Sequence, residues 1–353
     1  MLLSPFRAAS PMPSSAPLAT LRQHIAHTSA CEADQRRLPP RVSCIVPCWN
    51  EAGNLTQLLP QLMATLVGHT TEWEVVLVDD GSSDGTAALL ASWARLPGFR
   101  VMQLSRNFGK EAALSAGLQA ARGDVVVSMD ADMQHSPSLI PTLLQHWHRG
   151  ADVVVATRDS RRDEGLLKRL GARGFYVLIN VAGRVKVPAD AGDFRLMDRR
   201  VVDALLRLPE RNRFMKGLYA WVGFDVVRVP YTPEPRACGR SRFGMWRLSR
   251  LSIDGLTAFT TWPLRAVSIG GCLLALLGFC YGAYLTASYL IHGHALSGWT
   301  TIVVSLLLLS GIQLIAIGIA GEYIGRIFEE VKARPLYIVK RELGQGLRPR
   351  SNP

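Results

Sequence analysis

Three β-branched residues, Val125-Val126-Val127, run almost directly into two carboxylates, Asp130 and Asp132. An unbroken apolar run of this kind suits a strand covered on both faces, which confines the chain to a layered α/β architecture. Residues i and i+2 of an extended backbone point to the same side, so the two carboxylates share one face at the strand's carboxyl end. A pair of hard oxygen ligands suits Mg²⁺ or Mn²⁺, cations that bind few protein groups and share their remaining positions with phosphates. A polar turn leading into the Ser136-Pro137 helix start would produce the same short pattern, so its neighbours decide the reading.

Those neighbours repeat the theme. Strands are expected at Val42–Val46, Glu74–Val78, Phe99–Leu104, Asp124–Met129 and Asp152–Ala156. Helices are expected at Glu51–Val67, up to Leu96, at Lys110–Ala121 and at Pro137–Arg149. Strand and helix alternating at this spacing predict a mostly parallel, Rossmann-like sheet with helices on both faces. Ligands of such sheets bind beyond the carboxyl ends of the strands. Polar clusters fall at those ends: Pro47 with Asn50-Glu51, Asp79-Asp80-Gly81-Ser82, Arg106 to Lys110, Asp130/Asp132, and Arg158. Asp79 can accept from a nucleobase N–H or ribose hydroxyls, and Pro47, Asn50 and Glu51 lie on a neighbouring strand end where they frame the same base. Lys110 opens a helix, a setting that favours anions. No Gly-Lys-Ser/Thr follows a four-residue gap, so a Walker loop is excluded.

Pro47-Cys48-Trp49-Asn50-Glu51, Val78 to Thr86, Arg106-Asn107-Phe108-Gly109-Lys110 and Asp130-Ala131-Asp132-Met133-Gln134, in that order, resemble the family-2 glycosyltransferases. Within them the chain looks like the polyprenyl-phosphate glycosyltransferases, the group of dolichol-phosphate mannose synthases and bactoprenol glucosyl transferases. The resemblance covers about residues 42–340. It implies a GT-A fold, with Asp79 and the Pro47–Glu51 loop on the nucleoside and with Asp130, Asp132 and Gln134 on metal and diphosphate. The Gln-x-x-Arg-Trp motif of processive synthases is missing from the sequence, which disfavours a polymerising enzyme.

The net charge of +12 calls for acidic partners. Phosphorylated substrates and an anionic membrane surface are expected, and no nucleic acid. Arg158 lies on the same rim as Asp130, and Gly239 to Phe243 resembles the family's Gly-x-Ser-basic-aromatic segment. Arg158, Arg240 and Arg242 are therefore expected to meet the acceptor phosphate, as is Arg173, for which a solvated helix surface is the alternative. Six cysteines show neither disulfide nor zinc spacing.

Residues 1–40 read as a proline-rich tail without a signal-peptide core. A GT-A domain is expected over 41–240 and a juxtamembrane amphipathic segment over 241–264, centred on Met245–Asp254, which lies in the membrane interface or packs against the soluble domain. Ala266–Ile291 and Ala295–Gly321 carry no charge. Each exceeds the roughly 20 residues that cross a bilayer as helix, so a transmembrane hairpin is expected over 265–322. Arg265, Arg326, Lys332 and Arg334 flank it, while the His292-Gly293-His294 connection has no Lys or Arg. That asymmetry predicts an inner-membrane protein with catalytic domain and both termini, including a tail over 323–353, in the cytoplasm. Hairpins of this kind also self-associate, so a homo-oligomer is compatible with the sequence.

The expected reaction is inverting, metal-dependent transfer of a sugar from a nucleotide diphosphosugar to a polyprenyl phosphate such as undecaprenyl phosphate. Asp130, Asp132 and Arg158 are its expected catalytic residues. Two alternatives stand beside it: transfer to a glycan or lipid hydroxyl, for which Asp193 is the one candidate base, and a non-catalytic nucleotide-sugar-binding scaffold.

Overall fold

The computed structural model describes residues 39–158, 191–211, 213–231, 262–292 and 298–349. Arg173, Arg240, Arg242, the N-terminal tail up to residue 38 and the expected amphipathic segment up to residue 261 fall outside the described residues.

The alternation expected from sequence is present. In chain order the first elements are β1 (Val42–Cys48), α1 (Ala52–His69), β2 (Trp73–Asp79), α2 (Thr86–Trp93), β3 (Phe99–Leu104), α3 (Lys110–Ala120) and β4 (Val125–Ser128). A short 3₁₀ turn (Pro137–Leu139), α4 (Ile140–His148) and β5 (Val153–Arg158) follow. Beyond them lie β6 (Ala191–Asp198), α5 (Arg199–Leu206), α6 (Met215–Trp221) and β7 (Val226–Tyr231). Two long helices, α7 (Trp262–His292) and α8 (Trp299–Val331), precede a last strand, β8 (Val339–Gly344).

The sheet order is β7-β5-β6-β4-β1-β2-β3-β8. β1, β2, β3 and β4 pair in parallel, as do β5 and β7, whereas β6 runs antiparallel between β4 and β5. Parallel strands buried on both faces need two cores, and alternate residues supply them. Cys44, Val46, Val75, Leu77, Val125 and Val127 face a core with Leu55, Leu58 and Leu62 of α1 and Trp147 of α4. Ile45, Val76, Val78 and Val126 face the other, with Ala113, Ala116 and Leu118 of α3 and Val201 and Val202 of α5. Each such fully buried aliphatic chain contributes about 1.5–3 kcal/mol.

The expected tail over 323–353 is corrected in two respects. α8 runs on to Val331, and β8 then joins the sheet antiparallel to β3. Val339-Lys340-Arg341-Glu342-Leu343-Gly344 escaped detection because an edge strand needs little apolar content and benefits from charge. Gly344, with φ 81°, turns the chain where a Cβ would lie 2.2 Å from the carbonyl oxygen of Phe99. Residues beyond it cross the amino ends of the strands, where the fully buried Glu74 gathers them. Its carboxylate accepts from Ser43 Oγ (2.6 Å), Arg122 N–H (2.7 Å) and Leu347 N–H (2.9 Å). Arg41 and Arg122 donate to the carbonyls of Arg348 (2.6 Å) and Leu347 (2.7 Å).

α7 and α8 have 31 and 33 residues, long and apolar enough to cross a membrane. Their large apolar side chains are not covered by the domain: Phe279 is 76% exposed, Leu290 78% and Leu314 69%. This is the opposite of a buried helix pair.

Both oxygens of Glu74 accept hydrogen bonds, so Glu74→Gln turns an N–H₂ toward N–H donors. We expect it to cost about 2 kcal/mol of folding stability, read by denaturant titration, and to speed proteolysis after Arg348.

Candidate active site

The site is assembled at the carboxyl ends of β1, β2, β3 and β4 and the amino end of the antiparallel β6. At the end of β1, Asn50 adopts φ 55°, a left-handed conformation that asparagine tolerates. Its backbone N–H donates to Ser82 Oγ (2.9 Å), and its side-chain oxygen accepts from Ser83 N–H (2.8 Å). Glu51 N–H donates to Thr86 Oγ1 (3.0 Å). Asp79, fully buried, accepts from Ser82 N–H (2.9 Å) and faces Gln103 Nε2 (3.4 Å). Asn50, Glu51 and Asp79 are therefore joined through the Ser82–Thr86 turn, with Pro47 paired to Val78 on the adjacent strand.

That turn is tied to the next loop. Gly81 has φ 68°, and a Cβ there would sit 2.5 Å from the backbone of Arg106. Asp80 accepts from Phe108 N–H (2.7 Å) and Gly109 N–H (2.8 Å). This places Lys110 at the first turn of α3, where its ammonium bridges Asp130 Oδ1 (2.6 Å) and Asp193 Oδ2.

Asp193 reaches Asp130 through strand register. Ser128 pairs with Arg195 across the antiparallel β4/β6 ladder, so one pleat further along the two aspartates oppose each other. Ser128 Oγ also donates to the carbonyl of Asp193 (2.8 Å). Beneath them, the buried Arg195 guanidinium stacks 3.6 Å from the Tyr219 ring centroid and donates to the Gly192 carbonyl (2.7 Å).

Asp130, Asp132 and His135 bring one ligand atom each within 4.8 Å of one another. Met133 takes φ 60°, reversing the chain so that His135 turns back toward the carboxylates. His135 is packed against Phe194 and Tyr231, with ring centroids 5.3 and 5.1 Å away. Two carboxylates and an imidazole form a donor set that fits a divalent cation, Mn²⁺ included. Gln134, expected as a ligand, is seen to donate its backbone N–H to Asp132 Oδ1 (3.2 Å). Arg158 ends β5, level with Tyr231 of β7 on the same rim. Sequence reasoning missed His135, whose signal was its spacing after Asp130 and Asp132. It also missed Glu111 and the pairing of Lys110 with Asp193, which depends on a register no local pattern reveals.

The acidic groups have divergent electrostatics. Burial pushes Asp193 up, but the charges of Lys110, Lys216 and Arg195 and the Lys110 hydrogen bond reverse this and lower it to about 2. Burial works against the charge on Lys110, and Asp130 and Asp193 outweigh it, so its pKa rises. Glu111 is pushed up to about 7 by burial first and by the Asp193 charge second, against the weaker pull of Lys110, a hydrogen bond from Met215 N–H, and Lys216.

A mostly parallel sheet that gathers the Asn50–Asp79 turn and the Asp130, Asp132 and His135 cluster on its carboxyl rim has the architecture of a GT-A glycosyltransferase domain. A family model described as Glycosyl transferase family 2 matches residues 43–206. The SfII prophage-derived bactoprenol glucosyl transferase of Shigella flexneri is 41% identical over 302 residues, 85% of this chain and 98% of that one. A relative from Synechocystis sp., described as an uncharacterized glycosyltransferase, is 42% identical over 299 residues, 84% of this chain and 94% of that one. Among solved structures, mannosyl-3-phosphoglycerate synthase from Rubrobacter xylanophilus aligns with a TM-score of 0.45 and 21% identity, over 66% of this chain and 76% of that one. The chain belongs to glycosyltransferase family 2, in its polyprenyl-phosphate group, and is an enzyme.

The shifted carboxylates fix the sign of the pH dependence. Asp193 is lowered from 3.8 to about 2, so it stabilises the fold above pH 3.8, and this is lost as pH falls toward 2. Glu111 is raised from 4.5 to about 7, so the fold binds the extra proton and stability declines as pH rises from 4.5 through 7. Thermal midpoints measured from pH 4.5 to 8 should show that decline, and Glu111→Gln should flatten it.

Proposed function

We propose that the chain transfers a sugar from a nucleotide diphosphosugar to a polyprenyl phosphate at the cytoplasmic membrane face, with inversion and with a divalent cation. The observation that carries this reading is the meeting of Asp130, Asp132 and His135 at a sheet rim in a chain whose two apolar helices are left uncovered by protein. A lipid-borne acceptor explains both features. Large exposed apolar surfaces belong in a bilayer, and the acceptor's head reaches the interface where the rim would wait.

The acceptor chemistry follows from charge. A phosphate monoester has its second pKa near about 6 and is already anionic at neutral pH, so it attacks the anomeric carbon without a base. A hydroxyl acceptor would need one. Asp193, the candidate for that task, is ion-paired to Lys110 and lowered to about 2, which makes it a poor proton acceptor. Its role in this reading is to orient Lys110. Lys110 meets the donor diphosphate, and Arg158, Arg173, Arg240 and Arg242 hold the acceptor phosphate close to it. Asp79, with Pro47, Asn50 and Glu51, seats the nucleoside. Asp130, Asp132 and His135 would hold Mg²⁺ or Mn²⁺, with Gln134 beside them on the diphosphate. When bound, the cation supplies Lewis-acid stabilisation of the departing nucleoside diphosphate. The relatives named for bactoprenol glucosylation support the acceptor class, and the basic flanks of α7 and α8 support the cytoplasmic side.

Membranes containing polyprenyl phosphate, supplied with a panel of labelled nucleotide sugars, should yield a lipid-linked sugar from one donor. Asp132→Asn should lower that yield about a hundredfold or more and weaken Mn²⁺ binding measured on the protein alone. Full activity after exhaustive chelation would refute the metal's part. Label passing to a glycan hydroxyl instead would refute the acceptor.

A further inference from the structure

The segment Arg334-Pro335-Leu336-Tyr337 has no part in the chemistry above, yet it is held at several points. α8 stops at Val331: Lys332 N–H closes on the Phe328 carbonyl (2.9 Å), and Ala333 takes φ 52°. A left-handed residue with a proline two positions on ends a helix firmly. The chain then lies along the catalytic domain. The backbone N–H of Arg211 donates to Glu330 Oε1 (2.9 Å), and its guanidinium donates to the Arg334 carbonyl. The Tyr337 ring packs on the core beneath α3, its hydroxyl donates to Gln119 Oε1, and the Ile338 carbonyl accepts from Ser105 N–H (2.9 Å).

Gln119 is one of three residues at helical spacing on a single face of α3, with Glu111 and Ser115. Each is met by a different part of the domain. Met215 N–H donates to Glu111, Arg213 Nη1 lies 3.5 Å from Ser115 Oγ, and Tyr337 reaches Gln119. On the opposite face Ala113, Ala116 and Gly117 press on the sheet, and a Cβ on Gly117 would come within 2.2 Å of Ile45 Cγ2. α3 is thus clasped from both sides, and its first residue is Lys110.

We propose that Tyr337 and Gln119 are positioning residues for Lys110: the segment leaving the second apolar helix sets the seat of α3, and thereby the placement of the ammonium between Asp130 and Asp193. A contact made only when α3 is seated raises the population of the displaced helix by its own worth when it is removed. Lys110 then escapes its two carboxylates more often and reacts more readily as a free amine. The inference concerns the protein alone and does not depend on which sugar or acceptor is used.

The full-length protein, purified in detergent, is treated with an N-hydroxysuccinimide ester, and acylation is followed by mass spectrometry. Tyr337→Phe, which keeps the packed ring, and Gln119→Ala, on an exposed helix position, should each raise the rate at Lys110 relative to Lys332 about threefold. The double variant should match either single variant, because both remove one contact. A purely structural loss would lower the thermal midpoint without singling out Lys110. Unchanged Lys110 labelling in both single variants, or additive effects in the double variant, would overturn the proposal.

Discussion

One ammonium holds the site together. Lys110 is shared between Asp130, just beyond the end of β4, and Asp193, near the start of β6. Without it, two carboxylates set opposite each other by strand register would repel across a short gap, with Glu111 adding to the load. Like charges at such distances drive a proton onto one partner. The structure divides the burden instead. Asp193 is kept ionised by Lys110, Lys216 and Arg195, while burial first and the Asp193 charge second push Glu111 up to about 7. Asp130 also lies beside Asp132 and His135, one ligand atom of each within 4.8 Å of the others.

The placement of that ammonium is inherited from backbone contacts rather than from its own flexible stem. Asp80 fixes the Phe108–Gly109 peptides, Gly81 lets the Arg106 backbone approach, and Asp79 and Asn50 close the turn from the other side. The Asn50–Asp79 turn and the Asp130, Asp132 and His135 cluster are consequently ends of one connected network. A displacement at either end has a physical route to the other. Each bond contributes only about 1 kcal/mol net, so the network acts by geometry more than by strength.

Much of this was readable in the residues. Val125–Val127 announced a strand with two covered faces, and the polar clusters fell at strand ends because a parallel sheet gathers its ligands there. Asp130 and Asp132 were paired by the period of an extended chain. The parts that escaped were those set by tertiary register or by unusual backbone. Asp193 comes beside Asp130 only because β6 is inserted antiparallel, and His135 turns inward only because Met133 takes a positive φ. β8 was hidden by its own charge. Its residues read as a solvated tail, and only the exposed edge of β3 gives them a partner.

That last strand also orders the events of folding. The central strands β1, β2, β3 and β4 lie before the two apolar helices in sequence, while β8 lies after both. Until residues 339–344 are made, β3 has one unpaired edge and Glu74 lacks the Leu347 N–H among its donors. An open edge beside a buried carboxylate short of one partner is a poorly sealed intermediate. Completion of the sheet must wait for the chain to emerge from α8. The catalytic domain is closed by a segment that follows both apolar helices in the chain. Synthesis of the apolar helices and sealing of the sheet are therefore linked by covalent order, whatever the energies of the individual contacts.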